Sequence, residues 1–374
     1  MSGPRQLVLL GAGAAHRQVL HEWATQPLAG VQITLVTAQT QPWHAPRLAG
    51  FVAGHWPAED CQWALEPLVQ RSGVQWLRSS VRTLDVNART AVLDDGRTLN
   101  FDWLSVNVPG VQNRDLTDAT LPGAREHAVF VHPLAAFASL WPQVLALSAT
   151  RPLRFTVVGA GITGCELALA LQHRVPDASI TLLSGRQPPL ARCVSGLQAR
   201  MLQVLKQRKI TVLQDRAMAV NATTVRLGCG ADLASDVTVL ATGVQLPRWL
   251  ADSGLAQDGQ GHVVLDEYQR SSSHPSVFVT GALGSGGPQA DQGAAALAIG
   301  SNLTRNLAAS VAKQPLTPAP SPAADWLVVH CGSRNAMASG RGFVFQGAWV
   351  WWLARWRDQR WLRQKPLSAP THKP

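Results

Sequence analysis

The order of apolar and polar positions at the start of the chain predicts a βαβ unit. An apolar run at residues 6–10 is followed by a glycine turn, an amphipathic segment expected to be helical over residues 17–26, and a second apolar run at residues 32–37. Buried parallel strands give continuous apolar runs of this length, whereas helices repeat their apolar positions every three to four residues. We therefore interpret this stretch as strand, turn, helix and strand.

The same order returns in mid-chain, where we predict a strand at residues 155–158, a helix at residues 165–172 and a strand at residues 179–183. Two further apolar strands, at residues 237–241 and 277–280, run into glycine turns. Alternation of strands and helices favours parallel sheets. The pattern therefore predicts an α/β fold with two Rossmann-like dinucleotide-binding domains, each built in three layers.

The remaining segments are less regular. Asp95-Gly96 predicts a hairpin turn, and residues 111–150 look connective and only partly helical. A proline-rich segment at residues 315–325 predicts a stiff linker. Beyond it we expect a strand at residues 326–330, a turn-rich stretch, an amphipathic Trp-rich helix from about Gln346 to Arg363, and a disordered tail at residues 364–374.

Composition narrows the function classes. Hydrophobic residues make up 46% of the 374 positions and charged residues 15%, which is typical of a packed globular protein. No apolar run reaches the roughly 18 residues that span a bilayer. The five cysteines form no CxxC pair, which indicates a cytoplasmic protein without a redox disulfide or metal site. The net charge is +10, but the arginines are spread along the chain without a nucleic-acid recognition motif.

The strongest chemical signal is a complete G-x-G-x-x-G at Gly159, Gly161 and Gly164, followed by Glu166. The first glycine permits a tight turn, the second lets the backbone approach a pyrophosphate, and the third lets the helix pack closely on the strand. The helix N-terminus supplies N–H groups and positive potential. Because a strand precedes this turn and a helix follows it, the turn predicts a dinucleotide site.

The residue after the next strand normally selects between NAD and NADP. Here Ser184-Gly185-Arg186 carries no acid. Arg186 favours the additional phosphate of NADP, whereas an exposed loop arginine without that role is an equal alternative. The choice between NADH and NADPH stays open at this point.

The N-terminal turn is less regular, with Gly11 and Gly13 in place and His16 where the third glycine is expected. The following strand ends without an acid for a ribose. His16 either points at a cofactor or is a buried or helix-capping histidine. Two later turns, Thr242-Gly243 and Gly281-Ala282, follow apolar strands and are expected to complete the nucleotide sites.

The order GxGxxH, GxGxxGxE, ATGxxxP and VFxxG resembles the pyridine nucleotide-disulfide oxidoreductase superfamily, and within it the type II NADH dehydrogenase-like branch. A narrower resemblance is to the flavoprotein found fused to, or encoded beside, selenide,water dikinase. The stretches that carry this narrower resemblance are residues 42–55, 101–105, 131–134 and 345–358.

The resemblance implies an NAD domain inserted into a discontinuous FAD domain. The implied limits are residues 1–118 and 245–314 for FAD binding, 119–244 for NAD(P)H binding, 315–325 for the linker and 326–363 for a C-terminal appendage. The residues implied at FAD are Gly11, Gly13, His16, Gly281 and Ala282. Those implied at NAD(P)H and the cleft are Gly159, Gly161, Gly164, Glu166, Arg186, Thr242 and Gly243.

The same resemblance implies hydride transfer from NAD(P)H to flavin, with the electrons passing to a diffusible acceptor, quinone being the default without a cysteine pair. Trp43 and His44 are candidates beside the flavin, and no metal site is expected. The sequence departs from the family at the missing ribose acid, at Ala282 in place of an aspartate, and at residues 288–292 in place of a basic stretch. A degenerate relative that has lost FAD and serves as a dinucleotide-sensing or interaction protein is therefore the alternative.

In the final helix, Trp349, Trp352, Leu353 and Trp356 recur at helical spacing and define one apolar face. Trp with Arg at the edges is typical of a helix lying in a membrane interface. This face predicts a peripheral contact with the inner surface of the cell membrane. The alternatives are packing of the same face on the protein's own body and formation of a homodimer.

Overall fold

The computed structural model describes residues 4–285, 294–320 and 326–362. In chain order the strands are β1 Gln6–Leu10, β2 Gln32–Val36, β3 Gln75–Leu77, β4 Val81–Asp85, β5 Thr90–Leu93, β6 Thr98–Asn100, β7 Trp103–Val106, β8 Ala128–Phe130, β9 Arg154–Val158, β10 Ser179–Leu183, β11 Thr211–Leu213, β12 Ala217–Val220, β13 Thr224–Leu227, β14 Asp232–Ala234, β15 Val237–Leu240, β16 Val277–Val279, β17 Leu327–His330, β18 Ala336–Gly340 and β19 Phe343–Gly347. The helices are α1 Ala14–Trp23, α2 Leu48–Val52, α3 Glu66–Ser72, α4 Arg114–Thr120, α5 Ala124–His127, α6 Leu134–Thr150, α7 Ile162–Arg174, α8 Ser195–Gln207, α9 Arg248–Ala251, α10 Ala294–Ala312 and α11 Ala348–Leu362. Short 3-10 turns lie at Ala45–Arg47 and Ala58–Cys61.

Two parallel five-stranded sheets organise the chain, which confirms the predicted α/β fold with two Rossmann-like units. The first has the strand order β16-β7-β1-β2-β3 and the second β11-β10-β9-β15-β8. All strands of the second sheet come between β7 and β16 in sequence, so the second unit is inserted into the first. Residues Val111 and Gln245 pair as an antiparallel bridge where the chain passes between the units.

Apolar runs explain why these sheets form. Leu7, Leu9 and Leu10 of β1 are fully buried, as is Val157 of β9, because both faces of each parallel sheet are covered. Helices pack on one face, and a three-stranded antiparallel sheet packs on the other: β4, β5 and β6 in the first unit and β12, β13 and β14 in the second. On one face of the first sheet, α1 packs against α10. A Cβ on Gly300 of α10 would lie only 2.5 Å from the Cβ of Gln18, so glycine permits this close approach.

Several predicted boundaries were wrong. α1 begins at Ala14 rather than near residue 17, and α7 at Ile162 rather than 165, because each helix starts directly after the second glycine of its turn. Residues 111–150, expected to be mainly connective, contain β8, which extends the second sheet beside β15. The turn-rich stretch after residue 330 forms an antiparallel sheet of β17, β18 and β19.

The predicted hairpin was confirmed. The hairpin at Asp95-Gly96 joins β5 and β6, which pair in antiparallel register, and Gly96 has the positive φ of +85° that favours glycine. Of the proline-rich linker, the part up to residue 320 is held against the body, since Asn306 Oδ1 accepts from the Thr317 N–H at 2.8 Å. Residues 321–325 and the tail 364–374 lie outside the described residues.

The C-terminal appendage covers the segment between β2 and α3. Trp351 of α11 stacks on Trp56 with ring centroids 6.0 Å apart, and the Arg355 guanidinium lies 4.7 Å from the Trp56 ring. At the end of α11, Arg17 Nη2 donates to the Leu362 carbonyl at 3.2 Å. The appendage is therefore joined to the first unit at both ends of its helix. Within the described segments, no helix has the length and apolarity needed to cross a membrane.

Candidate nucleotide-binding site

The two glycine turns occupy equivalent places, at the carboxyl ends of β1 and β9. The N–H of Gly11 donates to the carbonyl of Val36 at 2.9 Å, and the N–H of Gly159 donates to that of Leu183 at the same distance. Each first glycine is thus bonded to the last residue of the neighbouring strand. This shared frame makes the two turns directly comparable, residue by residue.

The mid-chain turn has the geometry that each of its glycines predicts. Gly159 has φ +106°, and a Cβ there would lie 2.5 Å from the Ala241 carbonyl oxygen. A Cβ on Gly164 would lie 1.8 Å from the Gly159 carbonyl oxygen, so only glycine allows α7 to pack this closely on the turn. Gly161 is exposed, with no atom within 4 Å of a Cβ placed on it.

The start of α7 is correspondingly open. Gly161 is its N-cap and no side chain caps the helix. The first N–H groups of a helix have no intrahelical acceptor and carry partial positive charge. An exposed helix start beside an uncovered glycine is therefore suited to accept a pyrophosphate.

The other residues expected around this turn lie at the same edge of the second sheet. Thr242 and Gly243 follow β15 and are exposed, with Gly243 at φ +95°. Arg186 follows β10 and is exposed, while its carbonyl accepts from Gln214 Nε2 at 2.9 Å. Since β10, β9 and β15 are parallel neighbours, their carboxyl ends bring these residues to the edge that carries Gly161.

The N-terminal turn differs because a side chain covers it. The Gly13 N–H donates to the Asn107 carbonyl at 3.0 Å. The Asn107 Oδ1 accepts from the N–H groups of Ala15 and His16 at 3.1 and 3.2 Å. A Cβ on Gly13 would lie 2.3 Å from that Oδ1. Asn107, which is 2% exposed, therefore uses the donors at the start of α1 that a dinucleotide pyrophosphate requires.

His16 lies inside this arrangement and is fully buried. Its Nδ1 is 2.7 Å from the Gly11 carbonyl and its Nε2 is 2.8 Å from Ser105 Oγ. Burial lowers the pKa of His16 to about 4, so the ring is neutral near pH 7. Of the two interpretations from the sequence, the structure has the buried histidine rather than a ring directed at a cofactor.

Asn107 was missed by the sequence analysis, although the sequence contained the signal. It follows β7 where Ala241 follows β15, and a Cβ on Gly11 meets the Asn107 carbonyl at 2.5 Å as one on Gly159 meets that of Ala241. The segments after these strands read Asn-Val-Pro and Ala-Thr-Gly. Comparison of the chain's own two units, position by position, identifies the exchange of alanine for asparagine.

Gly281 and Ala282 directly follow Thr280, whose carbonyl is bonded to Asn107. Asn107 Nδ2 donates to the carbonyl of Thr280 at 3.2 Å, and Gly281 follows with φ +88°. From its place at the end of β7, the carboxamide thus joins the start of α1 to the end of β16. Residues 288–292, where the basic stretch is missing, lie outside the described residues.

His44 lies against the appendage, and Trp43 packs on the segment next to it. His44 is 4% exposed, and its ring stacks on Trp361 of α11 with centroids 4.5 Å apart. Its Nε2 is 3.6 Å from Asp358 Oδ1, which is too long for a hydrogen bond. Trp43 packs edge-on against Phe51. Both side chains therefore take part in the packing of the segment that the appendage covers.

Glu166 also faces the appendage. Its Oε1 accepts from the His330 N–H at 2.7 Å, and it lines a small open pocket together with Pro46, Arg357 and Asp358. Burial raises the pKa of Glu166 to about 8. Among the described residues, no three His, Cys, Asp or Glu side chains are grouped for a metal ion.

The apolar face predicted on α11 is exposed. Trp349, Trp352, Leu353 and Trp356 are each 50–56% accessible. The face that packs on the body is the other one, formed by Val350, Trp351, Ala354 and Trp361. The alternative that the Trp349 face packs on the protein's own body is therefore wrong.

Comparison with known proteins agrees with this architecture. Residues 5–298 match the family model described as pyridine nucleotide-disulphide oxidoreductase. The chain is 25% identical over 286 residues to an assimilatory nitrate reductase electron transfer subunit of Bacillus subtilis, covering 74% of this chain and 35% of that protein. It is 22% identical over 283 residues to the NADH dehydrogenase-like protein YutJ of the same species, covering 74% and 76% of the two chains. The chain thus spans only about a third of the nitrate reductase subunit.

Solved structures share the fold. A sulfide:quinone oxidoreductase of Aquifex aeolicus superposes with a TM-score of 0.77 at 14% identity, over 95% of this chain and 90% of that one. An NDH2 of Plasmodium falciparum in complex with NADH gives a TM-score of 0.72 at 13% identity, over 96% of each chain. The paired sheets, the two glycine turns and the family match lead to one conclusion. The chain belongs to the pyridine nucleotide-disulphide oxidoreductase family, whose type II NADH dehydrogenase-like members are oxidoreductases that use FAD together with NAD(P)H.

Proposed function

We propose that this chain is an NAD(P)H oxidoreductase that binds the pyridine nucleotide at the turn of Gly159, Gly161 and Gly164 and passes its reducing equivalents to a diffusible acceptor. The observation that carries the proposal is the open N-terminus of α7, where Gly161 is exposed and uncapped. The pyrophosphate would accept from the first N–H groups of the helix, and Thr242-Gly243 would line the nicotinamide side of the cleft.

Arg186 supports a role in cofactor choice. It is exposed directly after β10, where Rossmann domains contact the adenosine ribose, and no carboxylate stands at Ser184 or Gly185 to hold a free 2′-hydroxyl. A guanidinium can bind a 2′-phosphate with two parallel hydrogen bonds. We therefore propose that the site accepts NADPH as well as NADH.

FAD is the second cofactor of the family, but the N-terminal turn does not fit a dinucleotide in the arrangement described. The N–H groups of Gly13, Ala15 and His16 already donate to Asn107, and the carboxamide oxygen lies where the diphosphate would approach. This observation favours a second candidate function, in which the chain binds NAD(P)H without flavin as a dinucleotide-sensing or interaction protein.

Nucleotide binding and turnover separate the two candidates. Purified wild-type protein is titrated with NADH and NADPH, with nicotinamide fluorescence as the signal, and oxidation is then followed with a short-chain quinone, with and without added FAD. Binding together with quinone-dependent oxidation supports the oxidoreductase. Binding without oxidation in any mixture supports the second candidate, and failure to bind either nucleotide refutes both.

The acceptor class is proposed from the appendage. The exposed face of Trp349, Trp352 and Trp356 is flanked by arginines, with the Arg355 guanidinium 5.1 Å from the Trp352 ring and Arg360 beside Trp356. Indole rings bordered by guanidinium groups suit the interface of an anionic bilayer. Since quinones reside in membranes, docking of this face would bring the protein to its acceptor.

Vesicle binding tests the docking proposal. Wild-type protein is expected to sediment with anionic phospholipid vesicles, and a W352Q/W356Q double variant is expected to stay in the supernatant. Leu116 is 57% exposed on α4, so L116Q removes an apolar side chain of similar accessibility elsewhere and serves as the matched control. Equal sedimentation of all three proteins contradicts docking, and loss of a dimer in the double variant assigns the face to self-association instead.

A further inference from the structure

The carboxamide of Asn107 occupies the position that an alanine methyl occupies in the chain's other unit. Both residues follow the strand beside the glycine turn, and their carbonyls make the same close approach to Gly11 and Gly159. Ala241 leaves the start of α7 uncovered. Asn107 extends its side chain over the start of α1 and bonds two consecutive N–H groups there.

The contact is internally satisfied, which makes it persistent. Asn107 Oδ1 accepts two hydrogen bonds, its Nδ2 donates to Thr280 O at 3.2 Å, and its backbone carbonyl accepts from the Gly13 N–H at 3.0 Å. The residue is 2% exposed. A diphosphate arriving at this turn would have to break these bonds and leave a buried amide without partners, which is costly in a protein interior.

We propose that Asn107 closes the N-terminal dinucleotide cradle and is the residue that makes this chain a weak FAD binder, while the mid-chain cradle stays open to NAD(P)H. Asparagine competes with phosphate for the same donors, because a carboxamide oxygen and a phosphate oxygen both accept from helix N–H groups. The inference concerns the family's flavin position, and it stands or falls independently of the electron acceptor proposed above.

The proposal predicts that a single substitution in each unit gives its glycine turn the binding property of the other turn. N107A gives the first turn the residue of the second, and A241N does the reverse. Each recovered hydrogen bond to a charged phosphate is worth roughly ten- to a hundredfold in affinity. N107A is therefore expected to bind FAD at least about tenfold more tightly than wild type, and A241N to bind NADH at least about tenfold more weakly.

The experiment measures flavin retention rather than turnover. Wild type, N107A and A241N are incubated with excess FAD and desalted, and bound flavin is read from its visible absorbance, with dissociation constants from quenching of flavin fluorescence. Excess NADH is then added to show that retained FAD is not in the mid-chain cradle. S105A is the matched control, because it removes the hydroxyl that contacts His16 Nε2 and leaves Asn107 in place.

The expected result is that N107A alone retains FAD, that NADH does not displace it, and that only A241N binds NADH more weakly than wild type. Wild-type protein that holds FAD as tightly as N107A overturns the proposal, and so does a folded N107A that binds no better than wild type or S105A. If N107A does not fold, N107S is used instead, since its shorter side chain cannot span both N–H groups. Circular dichroism and thermal melting verify the fold of each variant.

Discussion

A methyl group would meet no neighbouring atom at Gly161 but would overlap the backbone at Gly164. Alanine substitutions at the two positions therefore distinguish an effect on ligand affinity from an effect on folding stability. At Gly161 the backbone has φ −69° and ψ −173°, which any residue adopts, and no atom lies within 4 Å of the new Cβ. At Gly164 the new Cβ would lie 1.8 Å from the Gly159 carbonyl oxygen. G161A is therefore a test of the ligand surface, whereas G164A is a test of helix–strand packing.

The magnitudes follow from these surroundings. In G161A, the loss of glycine at an N-cap costs up to about 1 kcal/mol, and the reduced freedom of the unfolded chain returns about 0.4–1 kcal/mol. Its stability should thus stay within about 1 kcal/mol of wild type. In G164A, the carbonyl or α7 must move by more than an ångström, and overpacking of this kind costs about 1–3 kcal/mol.

Although its stability should hardly change, G161A should bind NADH much more weakly than wild type. Its methyl group stands where the pyrophosphate approaches, so at least one charged hydrogen bond of about 1.5–3 kcal/mol is lost, a fall of roughly 10- to 150-fold in NADH affinity. Urea unfolding gives the stabilities, and fluorescence titration gives the affinities. A G161A protein that binds NADH like wild type would refute the pyrophosphate assignment, and a G164A protein as stable as wild type would refute the packing argument.

Three further expectations concern titration and cofactor choice. Burial lowers the pKa of His16 from 6.5 to about 4, so His16 should account for a loss of about 3 kcal/mol in the free energy of unfolding of wild type as pH falls from 6.5 to 4. Urea titrations should show a smaller loss for H16Q, and an equal loss would contradict a buried, neutral His16. Burial raises the pKa of Glu166 from 4.5 to about 8. The contribution of Glu166 to folding stability is therefore fully present below pH 4.5 and is lost as pH rises through 8. E166Q should therefore gain stability relative to wild type between pH 5 and pH 9, and no gain would contradict a protonated Glu166. R186Q should weaken NADPH binding several-fold and leave NADH binding unchanged, whereas equal effects on both would show that Arg186 does not read the phosphate.

The architecture was predictable because it depends on local patterns. Apolar runs separated by glycine turns identified both units. The strands predicted at residues 6–10, 32–37 and 179–183 are observed at residues 6–10, 32–36 and 179–183. The starts of α1 and α7 were predicted too late, because their apolar periodicity begins about one turn after the helix does. Two strands of the appendage sheet were missed since β18 ends in Ser-Gly and β19 ends in Gly, and their strand conformation depends on pairing of β18 with β17 and of β19 with β18.

One part of the candidate site was predictable from the sequence and the other part was not. The open mid-chain turn follows from the glycine spacing alone, since each glycine meets the contact that its position predicts. The closed N-terminal turn does not, because Asn107 reaches N–H groups 91 and 92 residues away in the chain. The direction of Glu166 was likewise unpredictable from the motif, as the hydrogen bond to His330 depends on where the appendage packs.

The two departures at the N-terminal turn are parts of one structural change. In the mid-chain unit the third glycine allows α7 to approach the turn until a Cβ would overlap the Gly159 carbonyl. His16 carries a side chain at that place, and both the Gly11 carbonyl and the helix N–H groups find polar partners within the protein. The His16 ring bonds the carbonyl at 2.7 Å and Asn107 bonds the N–H groups. With these bonds made, the donors of the first cradle are satisfied without a phosphate, whereas the mid-chain cradle leaves its donors free for one. The closure that we propose for the flavin position therefore rests on Asn107, with His16 beside it, rather than on the missing ribose acid.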